Sequence, residues 1–241
     1  MRNFSYKYLV TLLCLTSIAP ATAADGNSIM DNGGSNPAAM ACVSCHGSDG
    51  KGTPESGFPR LSGLPASYIA KQLHDFQAGR RENALMQPIA SALTDEEISS
   101  VANAYAAQAK VNVAAASVDR PVQGTGAWIA QRGAWDRSIP ECTSCHGPSG
   151  LGVGSAFPPL AGQSAIYLAA QLQAWKVKLA VADKKRHAKK QDLAARRNDP
   201  NGLMQHIAAD LTDAEISAVA EYFAGIEVSD EPVDAAKLRL R

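Results

Sequence analysis

The sequence predicts a helical protein made of two similar domains in tandem, and three observations carry that prediction. First, a set of landmarks occurs twice in the same order along the 241 residues, enough chain for two domains of about a hundred residues each. Cys42-Val43-Ser44-Cys45-His46 returns as Cys142-Thr143-Ser144-Cys145-His146, and Phe58 to Gly63 returns as Phe157 to Gly162. Leu85-Met86-Gln87 returns as Leu203-Met204-Gln205. Second, Ile69, Leu73 and Phe76 stand at i, i+4 and i+7, one face of a helix, and Leu168, Leu172 and Trp175 repeat them. Third, Thr94-Asp95-Glu96-Glu97 and Thr212-Asp213-Ala214-Glu215 both read T-x-x-E, a capping box that opens a helix.

Residues 1 to 24 read as a secretory signal. Arg2 and Lys7 supply the positive region, Tyr8 to Ala19 the apolar run, and Ala21-Thr22-Ala23 a small-residue cleavage site. The run is too short to span a bilayer, which takes ~20 residues. Cys14 is removed with it, and the mature protein is expected to be exported to the periplasm and soluble. Over all 241 residues, 23 basic and 23 acidic side chains balance, so charge gives no case for a nucleic acid partner.

The first domain, residues 25 to 115, begins with a Gly-, Asn- and Asp-rich stretch to residue 36 that reads as an irregular arm. Pro37 suits the start of a short helix, Ala38 to Ser44. Gly47, Gly50 and Gly52 mark a loop, and Pro59 to Gly63 a turn. A helix is expected from Ser67 to about Arg81, an extended stretch at Met86 before Pro88, and a last helix after Thr94 with Ile98, Val101 and Tyr105 on its apolar side. Residues 110 to 126 read as a linker. The second domain, 116 to 241, repeats the scheme, with a helix expected over Ala127 to Trp135.

One difference separates the copies. Pro59 and Pro158 are 99 residues apart, whereas Met86 and Met204 are 118 apart, so the second copy holds 19 extra residues between Trp175 and Met204. There Lys176 to Arg197 carries nine Lys or Arg against Asp183 and Asp192, a net +7. The composition favours a solvated helical extension, and the charge suits a docking surface for an acidic redox partner.

The chemistry lies in C-x-x-C-H, the attachment signal for c-type haem. Thiols at this spacing reach the vinyl groups on one porphyrin edge, and the adjacent histidine is held under the iron. A lone C-x-x-C fits a redox dithiol or half a zinc site equally well. Two copies, each followed by glycine in a chain with no other cysteine pair, favour two haems. An open sixth position allows gas or peroxide chemistry; a filled one leaves electron transfer. Beyond the motifs the mature chain offers His74, His187, His206, Met30, Met40, Met86 and Met204. Met86 and Met204 recur at matching places. His74 aligns with Gln173, His187 lies in the charged insertion, and His206 stays a rival for the second iron. Asp95-Glu96-Glu97 and Asp213/Glu215 are explained by helix N-termini, where acids are favoured. There is no Gly-rich phosphate loop.

Two domains with C-x-x-C-H-G, a P-x-L-x-G turn, a downstream methionine and a capped last helix resemble the diheme cytochrome c4 family, two tandem class I cytochrome c domains, over about residues 37 to 226. The resemblance implies an all-α fold, each domain wrapped around one covalently attached haem c (iron), with the haem edges facing one another. It makes Cys42, Cys45, Cys142 and Cys145 thioether sites, His46 and His146 proximal ligands, and Met86 and Met204 distal ligands. The carbonyls of Pro59 and Pro158 would accept the histidine Nδ1–H bonds and fix the rings. It implies periplasmic electron transfer from a quinol-oxidising complex or dehydrogenase to a terminal oxidase, a role compatible with peripheral membrane association. His/Met ligation places the potential above that of bis-His. The alternatives are a diheme enzyme of peroxidase or thiosulfate-oxidising type, or a cytochrome subunit of a dehydrogenase.

Overall fold

The computed structural model describes residues 25–113, 121–176, 195–199 and 201–229. The signal segment, residues 177–194 of the insertion and His187 lie outside the described residues. Ten α-helices among these residues form two similar sets of five, in keeping with an all-α protein of two tandem units.

The first copy opens with α1, Gly26–Asn32, where an irregular arm was expected. Asp25 caps it by accepting the Asn27 N–H at 3.1 Å, and Ile29 and Met30 are buried. Seven residues make no stable helix alone; this one is held by its crossing with a later helix. A Cβ on Gly26 would sit 2.2 Å from the Ser100 carbonyl oxygen, so glycine permits the approach. Residues read as breakers serve here as a cap and a contact point. The short helix α2 runs over Val43–His46 and does not start at Ala38. The Asn36 side chain accepts the Ala38 N–H at 3.0 Å and holds a turn there instead.

Helix α3, Ala66–Gln77, buries Ile69, Leu73 and Phe76, and ends four residues short of Arg81. Helix α4, Met86–Ser91, replaces the extended stretch expected at Met86. Asn83 Oδ1 accepts the N–H groups of Leu85 and Met86 at 3.0 and 2.9 Å. Pro88 falls in the first turn, where its missing N–H costs nothing. Helix α5, Asp95–Ala107, has the full capping box, with Ile98, Val101 and Tyr105 buried. A short strand β1, Asn112–Val113, occupies part of the expected linker.

The second copy runs α6 (Gly126–Arg132), α7 (Cys142–His146), α8 (Ala165–Lys176), α9 (Leu203–Asp210), α10 (Asp213–Ala224) and β2 (Val228–Ser229). Gly126 repeats Gly26: its Cβ would meet the Ala218 carbonyl oxygen at 2.0 Å, where α6 crosses α10. Each copy has its own core. Ile29, Phe76, Ile98, Val101 and Tyr105 anchor the first; Ile129, Ile139, Ile216, Val219 and Phe223 anchor the second.

The copies meet along matching segments. Strand β1 pairs antiparallel with β2, Asn112 opposite Ser229. Gln163 clasps the Arg60 backbone, accepting its N–H at 2.9 Å and donating to its carbonyl at 3.1 Å. Arg81 and Arg196 face each other in an isolated antiparallel bridge. The Arg81 N–H donates to the Asp75 carbonyl (3.0 Å) and the Arg196 N–H to the Ala174 carbonyl (3.1 Å), so the arginines are equivalent. Asp75 and Ala174 are 99 residues apart but Arg81 and Arg196 are 115, which places 16 of the inserted residues before Arg196.

The docking surface expected from the charge falls mostly on residues 177–194, outside the described residues. Three of its nine basic side chains are described, and each is held by a partner within the protein. Lys176 Nζ donates to the Leu211 carbonyl at 2.7 Å and to Asp213 at 3.1 Å. Arg196 is buried, and Arg197 pairs with Glu82 of the first copy.

Candidate haem sites

Helix α2 is a single turn, and the three-residue spacing of Cys42 and Cys45 puts both thiols along one side of it. His46 follows and is buried, at 6% exposure; His146 at the end of α7 is 8% exposed. Each imidazole is clamped by a proline carbonyl. His46 Nδ1 lies 2.9 Å from the Pro59 carbonyl oxygen, and His146 Nδ1 lies 2.8 Å from that of Pro158. A carbonyl can only accept, so Nδ1 carries the proton and Nε2 keeps its lone pair for a metal.

The clamp is built locally. Gly52 N–H donates to the His46 carbonyl and Leu61 N–H to the Gly50 carbonyl, folding the turn back onto the motif; Gly152 and Leu160 do the same in the second copy. Gly52 has φ 83° and a Cβ there would strike the Phe58 carbonyl oxygen at 2.5 Å, so this turn requires glycine. Phe58 and Phe157 set their rings edge-on to the imidazoles, at centroid distances of 6.3 and 6.1 Å.

Burial lowers the pKa of both histidines, outweighing the opposing proline hydrogen bonds; the nearby Arg81 charge adds to the effect at His46. Neutral imidazole is the ligating form. Burial also raises the Cys42 thiol and pushes Cys142 up to about 12. These are not activated thiolates, and the four motif cysteines form no disulfide. Among the described residues no three His, Cys, Asp or Glu side chains converge on a metal position. The donor set fits a covalently attached haem better than a dithiol or a zinc site.

The methionines differ in setting. Met86 is half-buried at the start of α4 and packs on the first core alongside Cys42 and Val43. Met204, second residue of α9, is half-buried but is not among the side chains gathered on the second core, where Cys142 packs. The rival His206 has a 63% exposed side chain directed to Asp210, 3.8 Å away. His74 bonds to Gln77 at 3.0 Å near the surface, Met30 is core and Met40 is exposed. Sequence reading missed the residues between the copies: Arg81, Arg196, Gln72, Gln171, Tyr68 and Tyr167. Their signal was available, since the glutamines and tyrosines recur at the same 99-residue offset as the prolines.

The family model for cytochrome c matches residues 23–105 and again 137–226. The chain belongs to the cytochrome c family. A curated relative from Stutzerimonas stutzeri (strain A1501), named thiosulfate dehydrogenase electron acceptor, is 52% identical over 86% of this chain and 88% of its own length. Reduced recombinant cytochrome c4 from Pseudomonas stutzeri has a similar structure, with TM-score 0.61 at 29% identity, covering 77% of this chain and 93% of that one. A thiosulfate dehydrogenase from Marichromatium purpuratum gives TM-score 0.64 at 37% identity over 83% of this chain, which spans only 39% of that longer protein. This cytochrome is therefore a two-haem electron carrier of the c4 kind, with haem c bound covalently at Cys42–Cys45 and Cys142–Cys145. No helix among its described residues is long and apolar enough to cross a membrane.

Proposed function

We propose that this cytochrome is a periplasmic relay that takes electrons from a thiosulfate dehydrogenase and passes them toward a terminal oxidase. His46 and Met86 ligate the first iron, His146 and Met204 the second, and the two domains divide near residue 115. The observation that carries the reading is the repeated imidazole clamp, one in each of two domains packed directly together. Bound haem supplies one-electron Fe(III)/Fe(II) chemistry. The chain's part is to hold each imidazole neutral with Nε2 presented, to keep water from it by burial, and to fix the spacing of the two centres. Two thiosulfate ions joined through an S–S bond release two electrons, which matches an acceptor with two centres.

The relative named as an electron acceptor of thiosulfate dehydrogenase supports the donor. The match to part of a longer thiosulfate dehydrogenase supports direct docking on such an enzyme. The outward set of His206 favours the carrier over an enzyme with a histidine drawn to its second iron.

The test is anaerobic stopped-flow mixing of the oxidised cytochrome with thiosulfate, with and without purified thiosulfate dehydrogenase. Both haems should reduce only when the dehydrogenase is present. Tetrathionate formed by the cytochrome alone would make it the enzyme, and failure to reduce with the enzyme present would remove the assigned donor.

A further inference from the structure

The first core holds a polar group that neither imidazole clamp uses. Tyr105, on α5, is 1% exposed, and its hydroxyl is buried without a hydrogen bond of ordinary geometry. Native proteins rarely tolerate this, because a hydroxyl taken out of water unbonded costs free energy. The need to fill space does not explain it, since phenylalanine fills the equivalent place in the second copy.

That counterpart is Phe223, on α10, 118 residues further on like the second of the paired methionines. It is also 1% exposed. Gly63 N–H donates to the Tyr105 carbonyl and Gly162 N–H to the Phe223 carbonyl, both at 2.9 Å. Each ring lies against a glycine of positive φ. A Cβ on Gly50 would sit 2.9 Å from Tyr105 Cε1, and one on Gly150 would sit 2.7 Å from Phe223 Cε1. Backbone and ring are held alike in the two copies, and the hydroxyl is the difference.

The group that faces this hydroxyl is the Cys42 sulfur. Cys42 packs on the core that contains Tyr105, as Cys142 packs on the core that contains Phe223. Burial raises the Tyr105 hydroxyl above its ordinary pKa, and the Cys42 thiol beside it raises it further. Burial raises Cys42 too, and the Tyr105 hydroxyl opposes that rise. The weak S–H donor of Cys42 is directed to the Ile29 carbonyl, 4.0 Å away, which leaves the sulfur lone pairs to other donors. On haem attachment the S–H adds across a vinyl C=C, sulfur to one carbon and hydrogen to the other. The resulting thioether has lone pairs and no proton, so it can only accept.

We propose that the Tyr105 hydroxyl donates to the thioether sulfur of Cys42 and sets the first haem's Fe(III)/Fe(II) equilibrium apart from the second's. The positive end of the O–H dipole beside the porphyrin edge disfavours the extra positive charge of Fe(III). A core of low dielectric strengthens that effect, and hydrogen bonding around a haem is one lever on its potential. Phe223 has no donor to offer, so the Cys142 sulfur goes without. This role rests on the two-haem carrier proposed for the chain.

The test uses the intact holoprotein with Tyr105→Phe and Phe223→Tyr, and needs no dehydrogenase. Spectroelectrochemical titration reports each Fe(III)/Fe(II) equilibrium. Proton NMR of the reduced, diamagnetic protein reports contacts at each thioether bridge, assigned through its own cysteine. Wild type should show a slowly exchanging tyrosine hydroxyl with a nuclear Overhauser contact to the Cys42 bridge. Tyr105→Phe should erase that resonance and move the first equilibrium toward Fe(III) by about threefold, ~28 mV for a one-electron couple. The second should stay where it is. Phe223→Tyr should move the second toward Fe(II) and leave the first. No hydroxyl contact in wild type, or an unmoved equilibrium in Tyr105→Phe, would overturn the role. Equal shifts at both centres would overturn it as well, since they would report loosened packing and not a donor at one sulfur. Should Phe223→Tyr fail to fold, Tyr105→Phe still decides, because it keeps the ring. The methionine–iron charge-transfer band stays constant in both variants; a wild type lacking it would sink the axial-ligand assignment and leave the hydroxyl contact and both equilibria to be read.

Discussion

A proline carbonyl does the orienting at both imidazoles, and the consequence is a division of labour between the two sides of each iron. The thioethers and the clamped histidine depend on the motif and its turn; the distal methionine depends on a different helix. Met86→Ala should therefore leave covalent haem in place while opening the first iron's sixth position. The expected readout is loss of about half the methionine–iron charge-transfer band and a fall in one midpoint potential, with the second centre unchanged. A variant spectrum identical to wild type would make Met86 core filler, the commoner role for a buried methionine. The spacing of the cysteines and histidines made them legible in the sequence, because attachment chemistry fixes that spacing. Arg81 and Arg196 were not legible: they stand 115 residues apart, and the insertion puts them out of register with the other repeats.

Helices with strong local signals were read well, and those made by tertiary contact were not. Both capping boxes form as the T-x-x-E pattern dictates. Helix α1 has no such pattern beyond Asp25; it exists because Gly26 lets its backbone lie against α5. The two boxes also differ. Glu215 adds a two-point ion pair with Arg137, Nη1 to Oε2 at 3.0 Å and Nη2 to Oε1 at 2.5 Å, which reaches across from the segment before α7. Glu97 instead accepts the Ser35 N–H. The Arg137 bonds are the main reason the Glu215 carboxyl is lowered to about 2, with Thr212 adding to them against the cost of burial. A pKa depressed on folding gives stability that is complete above the unfolded value, ~4.3, and is lost as pH falls toward the folded one. Acid titration of the holoprotein should thus show a loss of stability between ~4.3 and about 2 that Arg137→Ala reduces. Equal acid slopes in the two proteins would show that the pair contributes nothing there.

At the scale of the molecule, the two cores are separate but the domains are joined by a buried polar interface. Asp75 is central to it: its side chain is 2% exposed. Burial pulls the carboxyl upward, yet hydrogen bonds from Lys71, Asn198 and Arg80 outweigh this and hold it below the ordinary value. Asn198 comes from the second copy, so the charge ties the domains together. Asp75→Asn leaves those donors without an ionised acceptor and should cost about 1–3 kcal/mol. Calorimetry of the holoprotein should show one transition in wild type and two in the variant, because the weaker interface no longer couples the cores. A single transition at an unchanged temperature would mean that the domains are coupled elsewhere.

The arginine bonds between the copies are exchanged between equivalents: Arg81 reaches Gln171 while Arg196 reaches Gln72. A patch that binds its own likeness is self-complementary, and once two such patches meet, both are used up. Around these arginines and along the paired strands β1 and β2, the interface of this cytochrome is in effect a homodimer contact written into one polypeptide. A head-to-tail contact would leave an unused face at each end and invite a third unit. This one closes at two, so the number of centres is set by the symmetry of the contact as much as by the length of the chain.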